Sequence, residues 1–448
     1  MESPGTVEDT DMRDRVQAPI DRLPNELTLE IWSYNISHRN TWRIVPFIVD
    51  MSWVSRRWRA VALNAPELWS DIYLSFWNRK VGVVEAQLQR SKDLLLSITV
   101  DLNFKRPPSK RAHLLPTCVS ELRQIMPLLR AQLPRWRSLD VTIHSWTLNG
   151  NPSGHNQAYY DIILRPLSQA AAPKLESLSV QYVCDLNNVL IFDGGMPSLS
   201  SLTLCRSIDI GLCHLARVNS LALHDSLGRI PLGEFHRIVD ACPSLRHLSL
   251  NGACVHFPPG YLELPVLELP GLITLSLTAV PLFNDWITRR KQGILHSLSL
   301  PNLRTLYLCA CPLDILPHSS TSPYPSLEKL HVAVDENGTR SVRRPGFRKI
   351  LSRFPSINIL SSDSDSLLQA LVWDKGAPDA VCPSLHTLIW TSASAIDNSA
   401  DLLRVARRRR LKAGHPLVEL HVTHPAYRSM APSVLKQLRE VVKLQIRN

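Results

Sequence analysis

From Pro173 onward the apolar positions follow one figure. An apolar residue is followed by a second three places on and a third five places on, with polar residues between. Pro stands two places before the first in most copies. Strong copies begin at Leu175 (PKLESLSV), Leu199 (PSLSSLTL), Val218 (RVNSLAL, without the Pro), Leu245 (PSLRHLSL), Leu272 (PGLITLSL), Leu303 (PNLRTLYL), Leu327 (PSLEKLHV) and Leu385 (PSLHTLIW). Weaker copies begin at Leu95, Trp136, Ile357, Leu417 and Val441. The second and third apolar residues lie two apart, so on a strand they share one face and the residues flanking them share the other. Pro suits the start of such a strand, where no ladder donor is needed. A single copy cannot bury its own apolar row, whereas stacked copies bury a continuous one.

Elsewhere the period changes to that of a helix. Leu232, Phe235, Ile238 and Val239 in LGEFHRIVDAC fall on one helical face. In APIDRLPNELTLEIWSY, Pro24 stands where a helix begins, with Glu26 in its first turn. Leu27 and Ile31 then lie four apart, and Trp32 widens the apolar surface. A second N-terminal helix is expected over MSWVSRRWRAVAL, where Met51, Val54, Trp58 and Val61 form one stripe. Trp53 falls roughly opposite that stripe and needs a second surface to cover it.

Two family resemblances rest on these patterns. The L-x-x-L-x-L figure at spacings of mostly 19 to 31 residues resembles a leucine-rich repeat. It departs at the position eight after the first Leu, often Asn or Cys in that family. Here that position holds Val183, Ser207, Ser226, Ala253, Val280 and Cys311. LPNELTLEIW followed by VSRRWRAVAL resembles an F-box, through Leu23, Pro24, Glu26, Leu27, Ile31, Val54, Arg56, Arg57 and Trp58. Ser55 replaces a frequent Cys. The resemblance covers the chain and implies a mixed α+β and α/β repeat protein. It comprises an acidic disordered arm over residues 1–17, a small helical F-box over 18–74 and an irregular leucine-rich-repeat solenoid over 75–448. The resemblance further implies a non-catalytic substrate receptor of an SCF-type cullin ubiquitin ligase. Leu23, Pro24, Leu27, Ile31, Trp53, Val54 and Trp58 would build the F-box and meet a Skp-type adaptor. The repeats would hold a target protein. The alternatives are a repeat-based scaffold outside the ligase or a basic nuclear, nucleic-acid-associated protein.

Residues flanking the apolar figure face outward on the expected strands. They are small in the early copies (Ser177, Ser179, Ser201, Thr203, Ser220, Ala222) and grow from the middle onward. Large side chains anchor interfaces, so His247, Tyr307, Lys329, His331, Ile389, Glu419 and His421 are the candidate target-binding residues.

Composition changes this picture little. The chain of 448 residues carries a net charge of +11, which suits acidic partners or plain solubility. The run LLRVARRRRLKAGH, Leu402 to His415, reads either as a nuclear localisation or phosphate contact, or as the solvated end of a helix. The helix end is preferred, and nucleic acid is not an expected partner, because no aromatic residues interleave the basic ones. The nine Cys form no CxxC pair, which points to reduced thiols in the cytoplasm or nucleus and to no zinc site. Cys309 and Cys311 would share one face of a strand. No run of 18 apolar residues predicts a membrane span. G-x-S-x-G, H-E-x-x-H, P-loop and G-x-G-x-x-G motifs are all lacking, so neither intrinsic catalysis nor a cofactor is expected.

Overall fold

The structure is a computed structural model. It describes residues 19–37, 44–75, 80–102, 115–143, 155–182, 189–205, 208–209, 214–224, 230–256, 266–279, 283–284, 291–292, 294–311, 324–333, 347–348, 351–352, 354–372, 382–391, 399–411 and 417–447. The acidic arm expected over 1–17 lies outside them, as do Val183, Ser207, Ser226 and Val280.

Three N-terminal helices come first: α1 (Asn25–Ser37), α2 (Ile44–Val54) and α3 (Arg56–Asn64). The single helix expected across Met51–Val61 is in fact two. Ser55 adopts an extended backbone, and its hydroxyl accepts a hydrogen bond from the Trp58 amide at 3.1 Å. That N-cap is worth about 1 kcal/mol and gives the Ser a structural reason. The break dissolves the expected stripe: Trp58 and Val61 are buried, whereas Val54 is 58% exposed. Trp32 and Trp58 meet edge to face, with ring centroids 5.3 Å apart. Around them Phe47, Ile48, Ala62, Leu68 and Trp69 complete a core separate from that of the remaining chain.

The rest is organised on one 14-stranded parallel sheet in which every strand pairs with the next in sequence. Its strands are β1 (Asp71–Ser75), β2 (Leu96–Asp101), β3 (Trp136–Ile143), β4 (Ser177–Tyr182), β5 (Ser201–Cys205), β6 (Ser220–His224) and β7 (His247–Asn251). They continue as β8 (Thr274–Thr278), β9 (Thr305–Cys309), β10 (Lys329–Ala333), β11 (Ile359–Ser362), β12 (Thr387–Trp390), β13 (Glu419–Thr423) and β14 (Lys443–Arg447). Helices fill several connections: α4 (Val81–Arg90), α5 (Leu115–Arg130), α6 (His155–Ile163), α7 (Leu232–Asp240), α8 (Asp365–Leu371), α9 (Ser399–Leu411), α10 (His424–Ser429) and α11 (Pro432–Val441). Helix α7 forms where its spacing predicts, burying Leu232, Phe235 and Val239.

This corrects the expected fold class. In place of a helical domain followed by an irregular leucine-rich-repeat solenoid, the described residues form an α/β arrangement around a single continuous parallel sheet. The unequal spacings that suggested irregularity are absorbed in the connections. Apart from one register shift between Leu96 and Ser97, where β2 meets β3, the described strands keep their register, because slipping one strand by a residue would turn its apolar set to the wrong face. The expected boundary at residue 74 also moves, since β1 already begins at Asp71 and places Ile72 and Leu74 in the sheet's core.

One face of the sheet is apolar and covered. Leu178, Val180, Leu221, Leu223, Leu275, Leu277, Leu306 and Leu308 on it are each at most 1% exposed. Short polar residues stitch neighbouring connections together. Ser198 Oγ donates to the Pro173 carbonyl (2.8 Å), Asn302 Nδ2 to that of Pro270 (2.9 Å) and Ser356 Oγ to that of Leu327 (2.8 Å). These residues occupy the place between the Pro and the first apolar residue of each copy. They supply lateral bonds between neighbouring connections.

At the strand ends, Gly252, Ala279 and Ala310 adopt left-handed backbone, with φ of 72°, 51° and 52°. Each donates its N–H across 2.7 Å to the last carbonyl of the following strand, at Thr278, Cys309 and Ala333 respectively. The twist at Ala310 corrects one expectation. Cys309 and Cys311 do not share a face. Cys309 is half-buried, while Cys311 is buried, with its sulfur 3.3 Å from the Leu277 carbonyl.

Candidate functional site

The N-terminal helices leave a set of large apolar side chains in solvent. Leu27 (45%), Ile31 (47%), Trp53 (74%) and Val54 (58%) are all exposed. Leu27, Ile31 and Tyr34 follow at four and then three residues, which puts them on one face of α1. Tyr34 is 66% exposed; its place seven after Leu27 was the signal that could have singled it out. The predicted adaptor residues therefore sort themselves. Trp58 is core. Leu27, Ile31, Trp53 and Val54 face solvent. Leu23 and Pro24 serve the frame: Arg57 Nη2 donates to the Leu23 carbonyl and, at 3.0 Å, to Asn25 Oδ1. Thr28 Oγ1 donates to the Pro24 carbonyl at 3.1 Å. Arg57 thus ties the start of α3 to the start of α1.

The second surface is the uncovered face of the sheet. The ladder aligns Thr203, Ala222, Ser249, Ser276, Tyr307, His331, Ser361, Ile389, His421 and Gln445 in one row across ten strands, β5 to β14. Small residues give way at Tyr307, which is 39% exposed. Its ring leans on that of His331 at 5.5 Å. His331 Nδ1 lies 2.7 Å from the Ser361 hydroxyl. Burial lowers the His331 pKa, against the opposing pull of Asp363. Burial raises the Cys309 pKa, Asp363 adds to the rise, and a Thr278 hydrogen bond opposes it.

The predicted target-binding residues all fall on this face, but not alike. His247, Lys329 and Tyr307 are exposed, and His331, Ile389 and Glu419 half-buried. His421 is 7% exposed and corrects the expectation that it is presented to a partner. Its Nδ1 accepts from Arg447 Nε at 2.9 Å, so Nε2 carries the proton and donates to Glu419 Oε2 at 3.1 Å. Lys443 Nζ donates to Glu419 Oε1 at 2.8 Å. The large side chains of β13 and β14 are spent on one another, because adjacent strands bring them within reach.

The opposite end of the face is acidic, which the emphasis on small residues missed. Asp101 accepts from the Tyr73 hydroxyl at 3.0 Å. Asp140 has a raised pKa, from burial first and the nearby Asp101 charge, with a Ser179 hydrogen bond opposing. The alternation in DIYLS, LSITVD and WRSLDVTI carried that signal.

The basic run resolves into separate roles. Arg404 pairs with Asp401 at 2.9 Å, and Arg407 donates to Gln437 at 3.0 Å. Arg409 is buried and donates to the Cys382 carbonyl at 3.0 Å. Residues 412–415 of the run lie outside the described residues. Among the described residues, no three His, Cys, Asp or Glu converge as potential metal ligands, and no helix is long and apolar enough to cross a membrane. No family model matches the chain, and no curated protein matches it.

Proposed function

We propose that the chain is a non-catalytic receptor for a ubiquitin ligase of the SCF type, with the N-terminal helices meeting a Skp-type adaptor and the open sheet face holding a target protein. The observation that carries this reading is the exposed set Leu27, Ile31, Tyr34, Trp53 and Val54. Several large, exposed apolar side chains on one small helical unit mark an interaction surface. The resemblance of residues 23–58 to an F-box gives that surface its partner. The open face of the sheet is wide and polar, with Tyr307 raised above a floor of Ala222, Ser249 and Ser276, which suits a protein ligand more than a small molecule.

Co-purification tests it. The full chain is expected to hold a Skp-type adaptor through size exclusion, and the double variant Ile31→Glu, Trp53→Glu to lose it. Both side chains are exposed, so the variant should keep the wild-type melting temperature, and β1, from Asp71, is untouched. A well-folded wild-type chain that fails to bind the adaptor ends the ligase reading.

A further inference from the structure

On the helical side of the sheet, α5 and α6 enclose a groove of about 690 Å³. Its walls are Pro127, Ala131, Leu133 and Pro166, with Met126 and Ile162 beneath. Pro127 lies inside α5 and has no N–H, so the Arg123 carbonyl lacks its helical donor there. Arg123 and Arg130 both line the groove and are both exposed. They are seven residues apart, two helical turns and about 10 Å along the axis. Among the described residues neither guanidinium has a hydrogen-bond or ion-pair partner. The acid on the other wall, Asp161, is engaged by Arg165 at 3.4 Å. The groove is therefore an apolar slot with two unspent cations on one rim.

We propose that this groove docks an amphipathic helical segment of a partner protein, with two acidic residues seven apart and apolar residues midway between them. The charges argue for that occupant. Acids seven apart on a helix match the Arg123–Arg130 spacing, and residues three or four from each acid fall on the same face. A rim of cations beside an apolar slot favours an acidic ligand and disfavours a basic one. The groove uses no residue of the open sheet face or of the N-terminal helices, so the proposal does not rest on the ligase reading.

The test uses the full chain and two fluorescein-labelled helical peptides, identical except that two Glu seven apart, flanking a Leu pair, become Lys in the second. Anisotropy should show the Glu peptide binding roughly tenfold or more tighter than the Lys peptide to wild type. The double variant Arg123→Glu, Arg130→Glu should reverse that preference, and its melting temperature should stay near wild type because both side chains are exposed. Equal binding of the two peptides, no binding of either, or a preference unchanged by the charge reversal would overturn the proposal. Binding of dodecanoate, lost in the double variant, with no binding of the Glu peptide would overturn it in favour of a fatty-acid site.

Discussion

Ala279 and Ala310 stand in left-handed backbone where the equivalent residue of the preceding strand is Gly252. An L-residue loses roughly 1–2 kcal/mol there. Glycine restores that and gives back roughly 0.5–1 kcal/mol through the freedom of the unfolded chain. Relief of strain is the larger of the two. Ala279→Gly and Ala310→Gly should each stabilise the fold by about 0.5–1 kcal/mol, read as a rise in denaturation midpoint. A fall would show that the methyl groups pack. Glu419 offers a second residue-scale prediction. Hydrogen bonds from Lys443 and then His421 hold its pKa near 2, down from 4.5. A lowered carboxylate pKa stabilises the fold above the unfolded value and loses that contribution as pH falls through the folded one. Glu419→Gln should therefore flatten the loss of stability between pH 4.5 and about 2 and leave a smaller difference from wild type at the acid end. An unchanged acid profile would contradict the assignment.

At the scale of elements, α9 shows how a basic run can be structural. Its sequence places four Arg in succession, from Arg407 to Arg410, and the pattern alone suggests a solvated or signalling cluster. Packing separates them. Arg409 is turned inward onto the Cys382 carbonyl, and Cys382 itself is buried with left-handed backbone, φ 52°. The Cys382 carbonyl also accepts from the Leu385 N–H at 3.1 Å, so removing Arg409 costs one charge-assisted hydrogen bond and the packing of a buried stem, about 1.5–3 kcal/mol. Arg409→Ala should lower stability by that order in urea unfolding, whereas Arg408→Ala, at a half-buried position without such a bond, should change it by less than about 0.5 kcal/mol. Equal effects would mean that the run acts as a solvated cluster after all. The α2–α3 break is the companion case. Apolar spacing ran straight through Ser55, and only the backbone of Ser55 stops the helix, because a hydroxyl that caps one helix must leave the preceding one.

Across the whole molecule, the described residues divide between two cores. One, built on Trp32, Trp58 and Trp69, belongs to the N-terminal helices; the other runs without interruption from Ile72 to Val442. Between them stand a few specific contacts, among them Arg90 over the Trp69 ring at 4.5 Å. A small core opens at lower free energy than a large one. Hydrogen exchange should therefore release the amides of α1–α3 before those of β3–β9, and, on the proposed receptor function, a saturating Skp-type adaptor should slow the first set selectively. Simultaneous exchange of both sets would show that the helices and the sheet unfold as one unit.

The face that each repeated strand buries was legible in the sequence, because a two-residue alternation between apolar and polar positions has one low-energy placement on a half-covered sheet. So were α7 and the apolar character of the N-terminal helices. Tertiary structure alone decided that the copies join in one unbroken parallel sheet, that Val54 faces solvent while Trp58 is core, and that His421 is spent on Glu419 and Arg447. Each of these depends on residues far apart in the chain becoming neighbours, and periodicity within one segment carries no information about its neighbours in space.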